Sequence, residues 1–147
     1  MRGSRSARTT EDPALKDKRI LVADDDQTIR ETIRDVLTGL GCAVETARDG
    51  AEAAAMIDQR SYDLVLSDIK MPYHNGYEIF SMTKNADPDC PVILMTGFGY
   101  DPHHSVIRSR QEGLAAVLFK PFKIEQFLEE LRRAIITEPT DPSTPPI

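Results

Sequence analysis

Five short apolar runs separated by stretches of helical spacing constrain this chain more than any other feature. The runs are 20–23 (ILVA), 43–47 (AVETA), 64–67 (LVLS), 91–95 (PVILM) and 114–119 (LAAVLF). Runs this short and this apolar suit strands buried on both faces, which is the signature of a parallel sheet. After the first run, Ile29, Ile33, Val36, Leu37 and Leu40 recur at helical spacing. Thr28 and Glu31 are spaced for a capping box, Asp26 is an alternative cap, and Gly39 and Gly41 are stops. Further helices are expected at 49–58 behind Asp49, at 77–85 behind the loop of Met71, Pro72, Asn75 and Gly76, and at 104–112. The last helix buries Ile124, Phe127, Leu128, Leu131 and Ile135. Five βα units in succession predict an α/β fold, a doubly wound five-stranded parallel sheet with helices on both faces.

The ends differ from this middle. Residues 1–18 scatter Arg2, Arg5, Arg8, Lys16 and Lys18 among polar residues without apolar periodicity, and read as a flexible N-terminal lead-in or linker. The opening MRGS reads as an expression scar. Residues 137–147 hold Pro139, Pro142, Pro145 and Pro146 and read as a Pro-rich tail or linker, which leaves 19–136 as one folded domain. A hydrophobic fraction of 40% with 29% charged residues excludes wholesale disorder. No apolar stretch is long enough to span a membrane, and no export signal comes after the basic start, so the expected compartment is the cytoplasm. Cys42 and Cys90 make no disulfide framework and read as small buried hydrophobes. The net charge of −6 argues against direct nucleic-acid binding by this domain.

Four of the runs end in residues with chemistry to offer. The first ends in Asp24, Asp25 and Asp26, the third in Asp68, the fourth in Thr96 and the fifth in Lys120. Ligands of open parallel sheets sit beyond the carboxyl ends of the strands, where the winding reverses. With strand order 2-1-3-4-5, the first and third strands flank that point and their carboxylates converge. Two carboxylates about 4 Å apart repel by roughly 4 kcal/mol at an effective dielectric near 20, so such a cluster takes up a proton or a hard cation. All-oxygen ligands favour Mg2+, which keeps positions for phosphate oxygens.

The chain resembles the receiver domain of two-component response regulators, of the chemotaxis-regulator kind. The likeness rests on ILVADDD at 20–26, DLVLSDIKMP at 63–72 with Asn75 and Gly76 just beyond, ILMTG at 93–97 and FKPF at 119–122. It implies a flavodoxin-like (βα)5 fold and a signalling switch rather than an enzyme acting on an external substrate. Asp68 would accept a phosphoryl group from a histidine kinase or a histidine phosphotransfer domain. Asp25, Asp68 and the backbone carbonyl of Lys70 would bind Mg2+, and Asp24 would order its waters. Thr96 and Lys120 would meet the phosphoryl group, and the peptide bond before Pro121 would be cis. The output face would be the helix at 104–112, the fifth strand and the last helix, which would contact an output domain or a second copy.

Two features depart from the family pattern. Val117 stands three residues before Lys120, where the family usually has an aromatic ring that rotates on switching, and 97–112 is about two residues longer than usual. Rival readings are a haloacid-dehalogenase-like phosphatase, whose DxDxT pattern is met by Asp24, Asp26 and Thr28, and a receiver-like binding module that needs no phosphorylation. The phosphatase leaves Asp68 without a task and lacks a later acidic pair at a strand end. Flavin binding would want a Ser/Thr-rich phosphate loop where this chain has acids. His103 and His104 are adjacent, so they do not share a helix face as a metal pair would. Met56, Met71, Met82 and Met95 read as packing, and Arg108, Arg110, Arg132 and Arg133 as solvated helix faces.

Overall fold

The computed structural model describes residues 12–97 and 113–136. In chain order the elements are β1 (Arg19–Ala23), α1 (Gln27–Gly39), β2 (Ala43–Ala47), α2 (Gly50–Gln59), β3 (Leu64–Asp68), α3 (Gly76–Ala86), β4 (Val92–Thr96), β5 (Ala116–Phe119) and α4 (Ile124–Ile136). The five strands form one parallel sheet in the order β2-β1-β3-β4-β5. The helix expected at 104–112, with His103, His104, Arg108 and Arg110, lies outside the described residues.

Alternation along the strands divides the core in two, as a doubly wound sheet requires. Leu21, Val65 and Leu94 face α2 and α3 through Ala53, Ile57, Ile79 and Phe80. Ile20, Val22, Leu66 and Ile93 face α1 and α4 through Ile33, Leu37, Phe127 and Leu131. Register brings the strand ends level. Ala23 pairs with Ser67, Asp68 with Met95, and Thr96 with Phe119. The residues that leave the sheet there emerge at one edge of it. Among the described residues no helix is long and apolar enough to cross a membrane.

Two expectations need correction. The capping box at Thr28 and Glu31 does not form. Asp26 caps α1, its carboxylate accepting from the Ile29 N–H, because the helix starts two residues earlier than that box demands. The reciprocal box sits instead on α3, where Asn75 and Glu78 each accept the other's backbone N–H. The Gly41 stop holds: at φ +100° it lets its own N–H reach the Thr38 carbonyl and the Cys42 N–H reach that of Leu37.

The second correction is the lead-in, whose residues 12–18 form a strap packed on the domain. Leu15 is fully buried in the α1/α4 half of the core. Asp12 and Asp17 donate backbone N–H groups to the Leu40 and Gly41 carbonyls, and Arg132 pairs with the Asp12 carboxylate. Arg132 is therefore a clasp between strap and helix rather than a solvated residue, and its hydrogen bond holds Asp12 below the usual carboxylate range. One apolar residue among charges carries no periodic signal, yet its burial contributes roughly 2 kcal/mol.

Candidate functional site

The acidic cleft is built from chain reversals at the ends of β1, β3, β4 and β5. Asp24, Asp25, Asp26, Ile29, Asp68, Lys70, Gly97 and Lys120 line a cavity of about 260 Å³. The β1–α1 turn is ordered by its own acids: the Asp26 N–H donates to Asp24 Oδ1 at 2.9 Å, and the Asp26 side chain caps the helix. Asp24 is thereby fully buried and Asp25 left exposed at the rim. Asp68 ends β3 with little exposure, and its Oδ1 accepts the Ile69 N–H at 3.1 Å.

Sequence reasoning brought Asp24, Asp25, Asp68, Thr96 and Lys120 to one edge, and the structure gathers four of them tightly. Ligand oxygens of Asp24, Asp25 and Asp68 all lie within 4.8 Å of one another. Lys120 Nζ reaches Asp24 Oδ2 at 2.8 Å and Asp68 Oδ1 at 3.3 Å, across the sheet from β5. Its peptide bond to Pro121 is cis, as the resemblance implied. Thr96 ends β4 beside them, and its buried hydroxyl finds no hydrogen-bond partner among the described residues. A buried unpaired hydroxyl costs free energy, so it marks a place where an incoming acceptor would be stabilised. Val117 sits buried in β5 opposite Leu94, a packed position with no ring to turn.

The electrostatics are set by this geometry. Burial, then the neighbouring Asp24 charge, push the Asp68 carboxyl up to about 6 against the opposing pull of Lys120. Burial works against the Lys120 ammonium, but the hydrogen bond and charge of Asp24, with Asp68 behind them, outweigh it and hold the pKa above its ordinary value. Three carboxylates face one ammonium, so the cluster is short of positive charge. That deficit and the all-oxygen donor set fit a hard divalent cation such as Mg2+.

The sequence reading did not single out Arg30, whose Nη1 donates to the Asp24 carbonyl oxygen at 2.8 Å. A lone arginine on a helix gives no local signal that it reaches back to a loop.

Comparison with known proteins places the chain among proteins of one family. The family model for the response regulator receiver domain matches residues 20–132. Response regulator MprA of Mycobacterium sp. (strain KMS) is 34% identical over 114 residues, 78% of this chain and 49% of the relative. The chain thus spans about half the length of such curated relatives. Among solved structures, the response regulator receiver domain protein from Clostridium thermocellum superposes with a TM-score of 0.74 at 32% identity, covering 80% of this chain and 94% of that one. The CheY-like receiver domain protein from Methanospirillum hungatei gives 0.75 at 30% identity, covering 82% and 94%. With the family model matching residues 20–132 and the same fold shared with these solved receiver domains, the chain belongs to the response regulator receiver domain family of two-component signalling.

Proposed function

We propose that this domain is the phosphoacceptor of a two-component phosphorelay, taking a phosphoryl group from a histidine kinase or histidine phosphotransfer domain onto Asp68. The convergence of Asp24, Asp25 and Asp68 with the Lys120 ammonium at one cleft carries this reading. An Asp68 carboxylate oxygen attacks the phosphorus in line, the donor's N–P bond breaks, and the imidazole keeps the electron pair. Lys120, already within ion-pair distance of Asp68, balances charge on the transferred group. Asp25, Asp68 and the Lys70 carbonyl would hold Mg2+, with Asp24 ordering its waters; bound there, the ion would neutralise phosphoryl oxygens.

Phosphorylation adds nearly two negative charges at the strand end, and the free Thr96 hydroxyl can donate to them by moving inward. Since Val117 offers no rotating ring, the signal travels by the end of β4 and the face that includes β5 and α4, toward an output domain or a second copy. The domain turns over no external substrate and promotes only formation and hydrolysis of its own aspartyl phosphate. It works in the cytoplasm, as a unit over 19–136 with the strap added and linkers on either side.

The test is labelling with acetyl phosphate and Mg2+. Wild type should take up phosphoryl groups, Asp68→Asn none, and chelation should stop the uptake. A phosphatase using Asp24 as nucleophile would keep labelling in Asp68→Asn, which would overturn this reading.

A further inference from the structure

Among the described residues, Asp24 makes four polar contacts. Its N–H donates to the Ala47 carbonyl at 3.1 Å, Oδ1 accepts the Asp26 N–H at 2.9 Å, and Oδ2 accepts Lys120 Nζ at 2.8 Å. The fourth contact is to its backbone carbonyl, which accepts from Arg30 Nη1 at 2.8 Å. That carbonyl belongs to the peptide plane whose nitrogen is the N–H of Asp25, so its direction sets where the Asp25 side chain leaves the chain. Asp25 is the exposed member of the acidic triad, with no burial of its own to aim it. Arg30 stands on α1, which Asp26 caps, so the guanidinium ties the turn back to a rigid element.

We propose that Arg30 is a positioning residue for cation binding, holding the peptide plane between Asp24 and Asp25 so that the Asp25 carboxylate faces the cleft. The inference rests on the reading of that cleft as a Mg2+ site. It makes a prediction opposite in sign to plain electrostatics. A guanidinium bound to the backbone of the turn that carries Asp24 and Asp25 repels a divalent cation held there, so deleting its charge alone would tighten Mg2+ binding. Losing its grip weakens binding, and groups that orient metal ligands typically count for ~10-fold or more in affinity.

The experiment is calorimetric titration of Mg2+ alone into the full chain, with unfolding midpoints recorded in Mg2+-free buffer. Arg30→Met should weaken Mg2+ by ~10-fold, and Arg30→Lys, which keeps a donor and the charge, should recover part of the loss. In an Asp25→Asn background, Arg30→Met should produce no further loss, because the group it aims is gone. Unchanged or tighter binding in Arg30→Met, or a full additional loss in the Asp25→Asn background, would overturn the proposal. So would an affinity loss in both variants that simply tracks their unfolding midpoints. If wild type takes up no Mg2+ at all, it is the reading of the cleft that falls, and this inference with it.

Discussion

Gly76→Ala is expected to destabilise the domain by on the order of 3 kcal/mol and to abolish Mg2+-dependent labelling at ordinary temperatures. A Cβ at position 76 would lie 2.6 Å from the Asp68 carbonyl oxygen and 2.8 Å from the Ile69 Cα. Both are backbone atoms leaving β3, so no rotamer change relieves the clash and the chain carrying the phosphoacceptor must move. The Gly76 N–H also donates to the Ile69 carbonyl at 2.8 Å, a bond that the same displacement would strain. Because folded domains hold only ~5–15 kcal/mol in all, such a loss is a large share of the total. Gly39→Ala is the control: nothing lies within 4 Å of a Cβ there. That exchange, in the last turn of α1, should be neutral or mildly stabilising. Urea unfolding of the two variants decides the matter. Equal midpoints would show that the close approach of α3 to the end of β3 is not a constraint.

The other large effect is electrostatic and has two signs. Lys120→Met should destabilise the Mg2+-free domain by ~3–5 kcal/mol near neutral pH, since it leaves the fully buried Asp24 carboxylate without its cation. Asp68→Asn should do the reverse. The Asp68 carboxyl rises from 3.8 to about 6 on folding, which corresponds to roughly 3 kcal/mol of differential protonation. A group raised in this way supports the fold below pH 3.8 and loses that contribution as pH climbs through about 6. Above that pH the native state carries the charge at a cost, and removing it is stabilising. Urea unfolding of both variants from acid to neutral pH, with and without Mg2+, reads these signs. Mg2+ binds the native state and so should stabilise wild type, and it should narrow the deficit of Lys120→Met. A Lys120→Met domain as stable as wild type at neutral pH would mean the acidic cluster is balanced by something other than the ammonium.

Much of this was legible because the site lies where apolar runs stop. A strand buried in a parallel sheet is apolar on both faces, so Asp24, Asp68, Thr96 and Lys120 stand out as the residues at which the apolar runs stop. Their convergence needed only the strand order. The pairings within the cluster were not legible, since Lys120 and Asp24 are 96 residues apart and only the folded geometry decides which carboxylate takes the ammonium. Single residues acting through space were missed for the same reason: Leu15 in the strap, Arg132 on α4 that clasps it, and Arg30 behind the β1–α1 turn. The α3 capping box is different. Asn75 and Glu78 carried its spacing in plain view, and the Asn-Gly pair drew attention to a turn instead.

The central claim is that the phosphoryl group sits on Asp68. Borohydride reduction of the acetyl-phosphate-treated chain converts an aspartyl phosphate to homoserine, which peptide mass spectrometry then locates. The modified residue is expected at position 68 alone, and only when Mg2+ is present. Homoserine at position 24 or 26, or equal modification at 68 after chelation, would contradict it.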